Sequence, residues 1–419
     1  MKNSNTLRKL ARDEEGFSLV FVALGFMAFL AVSMLAIDVG MVMTARNQAQ
    51  NSADASALAG ATALAFDNWN DRSATGPAIQ NALAAATQNQ VMSGAVAITP
   101  TDVVFLTDPA GINDRVQSHV YRDAAHGNPL STLIARYFGV ATTDVAAIAT
   151  AEASSANAET CVLPFTIPDK WAEHSDGKGV ADGPWNPTST FDLWYAKGSN
   201  QNGGVPLPNP DVYVPGPRSQ GGTGYDAGID KGLEIVLKSN NQNKVSPSIY
   251  NPWDISGVTG ANAYSNNIAQ CNTTQQLANG ASLLPETGNM TGPTSQGVNA
   301  LIAEDPTNAG WNTDLNCPTA NLGTGMTCLA PSGGIVPVPP GTTPRIATIP
   351  LYNPTVYAEG QQSGKSQPQL KVVGYLGFFI EGVDGAGNVT GRITPITAGY
   401  NANLGPGTAS FAKVIRLVQ

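Results

Sequence analysis

Charge is scarce in this 419-residue chain: 13% of the residues are Asp, Glu, Lys or Arg, and the net charge is −9. No basic stripe or tail stands out, so the electrostatic footprint that a nucleic-acid partner needs is missing. Histidine is scarcer still, and His119, His126 and His174 are too widely spaced to read as a shared metal site or a catalytic pair. The chain lacks HExxH, G-x-S-x-G, a P-loop and an EF-hand loop, which removes the common signatures of metal-dependent hydrolysis, acyl transfer, phosphate binding and calcium binding. "DGAGN" (384–388) has calcium-loop residue types without the acidic repeat or closing Glu, and reads as a plain turn. The four cysteines, Cys161, Cys271, Cys317 and Cys328, show no CxxC spacing and hence no zinc signature. These gaps point to a non-enzymatic protein without a cofactor.

What the chain does have is one long uncharged run, from Phe17 to Ile37. A bilayer core needs about 20 apolar residues in helix. A signal-peptide core is typically ~7–15 residues long and precedes a small-residue cleavage site. Here the boundary reads "AVSMLAIDVG", and the nearest A-x-A triplet, Ala57-Leu58-Ala59, lies far beyond it. The run therefore reads as a permanent single-pass anchor with limits at Phe17 and Ile37. A processed pilin shaft is disfavoured: Gly16 stands where cleavage would fall, but the fifth residue after it is Phe21 rather than the expected Glu.

Lys2, Arg8, Lys9 and Arg12 precede the run, whereas Arg46 is the one basic residue shortly after it. Positive-inside bias places the N-terminus in the cytoplasm and the bulk of the chain outside it. The cysteines then face an oxidising compartment, where two disulfides are expected. The short local loop favours Cys317–Cys328, which leaves Cys161–Cys271.

Past Asp38 the helix is expected to continue. Ala45, Ala49, Ala53, Ala57, Ala61 and Ala65 recur every four residues, with Arg46, Gln50 and Asp54 in a polar row beside them. Small side chains in such a ridge allow close approach of another element, although alanine is also the best helix former. A helix from Phe17 to Phe66 spans about 75 Å at ~1.5 Å per residue. About 30 Å of that lies in the membrane, and residues 38–66 read as a stalk.

The stretch "AIDVGMVMTARNQAQNSADASALAGATAL" resembles the N-terminal signature of TadE/TadG-like proteins, through Asp38, Gly40, Arg46, Gln50, Ala53, Asp54, Ala55, Ala57, Leu58 and Ala59. The segments "GNMTGPTSQGVNALIAEDP" and "TPRIATIPLYNP" also look like parts of the longer TadG-related members. The resemblance implies a component of a bacterial Tad (tight adherence, Flp) pilus-assembly system, held in the inner membrane with a periplasmic C-terminal domain. It implies other Tad assembly proteins or minor pilins as partners, self-association through the stalk helix, and Arg46, Gln50, Ala53 and Asp54 as partner contacts. Many TadG relatives carry a von Willebrand A-type domain with an Asp-x-Ser-x-Ser metal site. "DASAL" at Asp54 and "DISGV" at Asp254 both lack the second serine, so metal-dependent adhesion is not expected here.

The remainder reads as α+β. Residues 67–157 form a small pilin-like α+β unit: a helix in 76–92 with Pro77 in its first turn, strands in 102–108 and 115–124, a helix over 129–139 closed by Gly139, and a strand in 143–154. Residues 158–419 read as a β-rich domain, with strands in 232–238, 344–352, 370–383, 388–396 and 411–419. "DGAGN" supplies a hairpin turn in this domain, and residues 295–306 supply a helix. Trp171, Trp185, Trp194, Trp253 and Trp311 gather here. They read as the aromatic core of a sparse β domain, with a glycan-binding face on an envelope-tethered adhesin as the alternative.

Overall fold

Between Glu14 and Phe66 there is no proline, and the residues are mostly good helix formers. They form one helix, α1 (Glu14–Phe66, 53 residues), about 80 Å long at ~1.5 Å per residue. The computed structural model describes residues 14–418 except 110, 113, 175–182, 197–203, 240–243, 256–259, 271, 274, 287, 315, 322–325, 329–342, 365–367, 405–406 and 408–410. Burial changes abruptly along α1. Phe26 and Leu35 are 61% and 64% exposed, whereas Ala45, Ala49, Ala53, Ala57, Ala61 and Ala65 are all buried. Among the described residues α1 is the one helix long and apolar enough, by length and composition, to cross a membrane. In residues 38–66, expected as a stalk, the alanine ridge is covered by this chain itself.

Two compact units divide the chain. The first takes α1 through Ser56 together with Leu83–Val104 and Gln117–Ala149; the second takes Ala57–Ala82, Phe105–Val116 and Thr150 onward. After α1 come α2 (Pro77–Gln88), β1 (Val103–Leu106), β2 (Arg115–Arg122), β3 (Leu130–Ser131), β4 (Thr142–Thr143) and β5 (Val145–Ser155). In β2 the residues Val116, Ser118, Val120 and Arg122 are buried in strict alternation, the two-residue period of a strand. The expected helix over 129–139 is not formed. Instead β3 pairs antiparallel with β4, and only Ala135–Phe138 coils, as a single 3-10 turn closed by Gly139 at φ +89°.

The second unit holds a closed barrel of β6 (Phe165–Pro168), β7 (Glu234–Ser239), β8 (Ile249–Pro252), β9 (Ile346–Tyr352), β10 (Leu370–Val383) and β11 (Val389–Ile393). Hydrogen bonding runs β10–β9–β6–β8–β7–β11 and back to β10. Strand β10 makes closure possible because its 14 residues serve two neighbours: Val372–Phe379 pair with β9, and Phe378–Val383 with β11. Closure leaves no free edge within the ring. The β10–β11 hairpin turns at "DGAGN", where the Asp384 carboxylate accepts the N–H groups of Ala386 and Asn388 and Gly387 takes φ +78°.

Helices α3 (Ala261–Ala269), α4 (Thr291–Ala303) and α5 (Pro354–Gln362) accompany the barrel. Only α4 was expected. It crosses α3 closely at Gly297, where a Cβ would stand 2.6 Å from the Ser265 carbonyl. The strand β12 (Lys413–Val418) stays out of the barrel and pairs antiparallel with β5, from Lys413↔Ser155 to Val418↔Thr150, completing a sheet in the order β1–β2–β5–β12. Cys161 and Cys317 are both disulfide-bonded. Cys271 and the side chain of Cys328 lie outside the described residues, and with them the expected pairings.

Candidate interaction site at the exit of the long helix

The first acidic residue after the apolar run is Asp38, and it is only 6% exposed. Its carboxylate reaches nearly a hundred residues along the chain. Oδ1 accepts the N–H of Leu133 at 2.8 Å, Oδ2 accepts that of Ala135 at 2.5 Å, and both oxygens lie 3.1–3.2 Å from the N–H of Ile134. These three donors open the 3-10 turn Ala135–Phe138, so Asp38 does for it what a capping residue does for a helix start. Burial opposes the charge, but the three N–H donors and the nearby Arg136 guanidinium outweigh it and hold the carboxyl below its usual range. This anchoring also explains why residues 129–139 fail to form a continuous helix: the backbone donors that would start it are turned towards Asp38.

Further along α1 a second set of polar side chains ties the helix to its own unit. Gln48 Oε1 accepts the Met92 N–H at 2.7 Å, within a tight turn where Met92 and Ser93 have φ of +48° and +61°. Ser52 donates to the Ala86 carbonyl at 3.0 Å, and Ser56 meets Ser118 of β2 at 2.5 Å in a fully buried pair. In the second unit the same row continues at Gly60, where a Cβ would stand 2.8 Å from Val116 and 3.3 Å from the Ala78 carbonyl. A row at 48, 52, 56 and 60, directly beside the alanine row, was present in the sequence. The neighbouring Arg46–Gln50–Asp54 row carries more obvious polarity and masks it.

The four residues expected as partner contacts separate accordingly. Ala53 is fully buried within the chain and offers a partner no surface, which corrects the expectation for that residue. Gln50 spends both its amide hydrogens internally, on Asp54 Oδ1 at 2.8 Å and on the Ile148 carbonyl at 3.2 Å. Asp54 is thereby half-buried and engaged. Arg46 is exposed, and so are Gly40, Met43, Asn47 and Asn51 on the uncovered side. A Cβ at Gly40 would meet nothing within 4 Å.

In the barrel unit, Asp169, Lys170, Asp226 and Asp230 are buried together. Lys170 Nζ lies 2.5 Å from Asp230 Oδ1 and 4.3 Å from the centre of the Trp185 ring. Asp169 accepts the Tyr213 hydroxyl and the N–H groups of Lys170 and Tyr225, yet burial still pushes its carboxyl up to about 7. Each carboxylate here has an internal partner, the arrangement a buried charge needs to persist. Trp171 and Trp253 are core residues, Trp185 and Trp194 pack against the same core, and Trp311 lies on Phe379. Trp194 also lines a groove of about 400 Å³ with Phe191, Asp192, Tyr195, Lys244 and Gln361. Among the described residues no cluster of His, Cys, Asp or Glu has the make-up of a metal site.

Residues 16–63 match the model of a family described as putative Flp pilus-assembly TadE/G-like, in agreement with the resemblance read from Asp38 to Ala59. Neither a curated protein nor a solved structure matches the chain.

Proposed function

We propose that the protein is a membrane-anchored structural component of a Tad-type (tight adherence, Flp) pilus-assembly system, acting by anchoring and protein–protein packing rather than by catalysis. The observation that carries this reading is the family match over residues 16–63, which coincides with the single long helix. The bare half of α1 sits in the inner membrane with the N-terminus cytoplasmic, and the two folded units stand in the periplasm. Partners are other Tad assembly proteins or minor pilins. They dock on the uncovered side of α1 just beyond the membrane, at Gly40, Met43, Arg46 and Asn47, where the chain leaves the helix unclothed.

Fractionation of cells after shearing off the pili tests the anchor. Full-length protein confined to the inner membrane fits the reading; a shortened form in the sheared fibre replaces it with a processed pilin. Arg46→Glu tests the docking side: it is expected to abolish co-purification with assembly partners while thermal unfolding stays unchanged, and normal co-purification would sink that part. One observation favours a second reading. The groove at Trp194 and Tyr195 offers aromatic faces beside amide and charged groups, the make-up of a sugar site. Saturable binding of glycans by the intact protein, lost in Trp194→Ala, would make it an envelope-tethered adhesin.

A further inference from the structure

The loop held by Asp38 has the wrong surface for a periplasmic loop in free water. Leu133, Tyr137, Phe138 and Val140 are 51%, 75%, 69% and 53% exposed, four large apolar side chains within eight positions. None of the described residues of the first unit covers them. Their location along α1 is fixed by the Asp38 carboxylate, which binds the N–H groups of Leu133, Ile134 and Ala135 directly. Asp38 follows immediately on Ile37, the last residue of the uncharged run, and Ile37 and Val39 beside it are themselves exposed. The exposed apolar surface of the helix therefore runs on into the loop at the level where the helix leaves the hydrocarbon.

The composition suits that level. Tyr and Arg are the residues that settle among headgroups, where an apolar body meets a wet tip. Arg136 lies over the Tyr137 ring, 5.1 Å from its centre, and is exposed. Small apolar and aromatic side chains on a short segment bury only the outer ~5–10 Å of a leaflet, a depth that matches a single turn rather than a spanning element.

Resting on the membrane reading above, we propose that residues 131–142 form an interfacial foot: Leu133, Tyr137, Phe138 and Val140 insert into the outer headgroup layer of the bilayer that α1 crosses. Asp38 latches this foot to the helix at a set height and sets how far the folded head stands from the membrane.

The test uses the full chain reconstituted in vesicles of phosphatidylethanolamine and phosphatidylglycerol containing nitroxide-labelled lipid. An environment-sensitive fluorophore is placed, without reductant, on Phe138→Cys, Leu24→Cys or Asn51→Cys in separate samples. Asn51 is exposed and lies about 20 Å along the helix from Asp38 at ~1.5 Å per residue. The expected result is several-fold stronger quenching at both Leu24 and Phe138 than at Asn51. Quenching at Leu24 with Phe138 as dark to the lipid as Asn51 overturns the foot and leaves the membrane anchor standing. Loss of quenching at Leu24 means that the anchor reading itself fails and the foot falls with it. Combining Phe138→Cys with Asp38→Ala is expected to reduce quenching at Phe138 several-fold while Leu24 is unaffected; an unchanged signal overturns the latch.

Discussion

The two stretches of α1 belong to one unbroken helix, yet they differ in residue size and have opposite surroundings. From Leu19 to Met43 the helix shows large side chains to the outside; from Ala45 to Phe66 it shows small ones to the interior of its own chain. Most of the large residues stand where the described residues leave them exposed. The small residues belong where α2 and β2 approach to within a Cβ of the helix backbone, as Val116 does at Gly60. Asp38 and the polar row that follows it mark the change. Side-chain size along one helix thus separates its bare stretch from its covered one.

Substitutions at matched positions break or sharpen this contrast. Gly60→Leu forces side-chain volume into a space already filled by Val116, Ala78 and Ala82, and is expected to cost on the order of 3 kcal/mol in thermal or denaturant unfolding. Leu24→Ala, in the bare stretch, is expected to leave the unfolding midpoint of the head unchanged. Ser56→Val leaves the buried Ser118 hydroxyl without its partner at 2.5 Å and is expected to cost roughly 1–2 kcal/mol, measured in the same way. Glycine reverses sign between the two stretches: Gly40→Ala has open space around it and is expected to stabilise the helix by up to about 1 kcal/mol, whereas Gly60→Ala destabilises.

A finer comparison sets two carboxylates against each other through pH. Asp38 has a folded-state pKa below its unfolded value, so its stabilisation is present above about pH 4 and drains away as pH falls through the folded value. Asp114 runs the other way. Burial, with the Glu152 and Asp108 charges nearby, pushes its carboxyl up to about 7, so the folded state favours the protonated form. Its contribution to stability declines as pH rises from about 4 to about 7. Asp114→Asn is therefore expected to flatten the pH dependence of the unfolding midpoint in that window. Asp38→Asn is expected to alter it only at the acidic end.

Much of this molecule was legible where local physics decides the outcome. The uncharged run, the alternation of "RVQSHVYR" and the hairpin at "DGAGN" each carry their structure in their own spacing. Legibility ended where a distant group intervened. The segment Leu130–Gly139 has the residues of a helix, but Asp38 takes its first donors and β4 takes its first strand pair. The alanine ridge announced a close neighbour without saying whose. A repeat of small side chains specifies the distance of approach and nothing about whether the approaching element belongs to the same chain or another. The candidate site at Asp38 was visible as a motif residue, and its partner was invisible because nothing in Leu133–Ala135 but backbone takes part.

The pairing of β12 with β5 bears on how the protein comes to be folded. Lys413 sits opposite Ser155, 258 positions away, and closing so long a loop is an entropic cost that local contacts cannot offset in advance. The barrel and its helices lie between the two strands in sequence and can assemble from shorter-range pairs, so the sheet that carries β5 is completed late. Until β12 arrives, β5 presents an open edge to its surroundings. A chain still folding thus passes through a period in which this sheet is unfinished, and in which a helper or a proteolytic check has its opportunity.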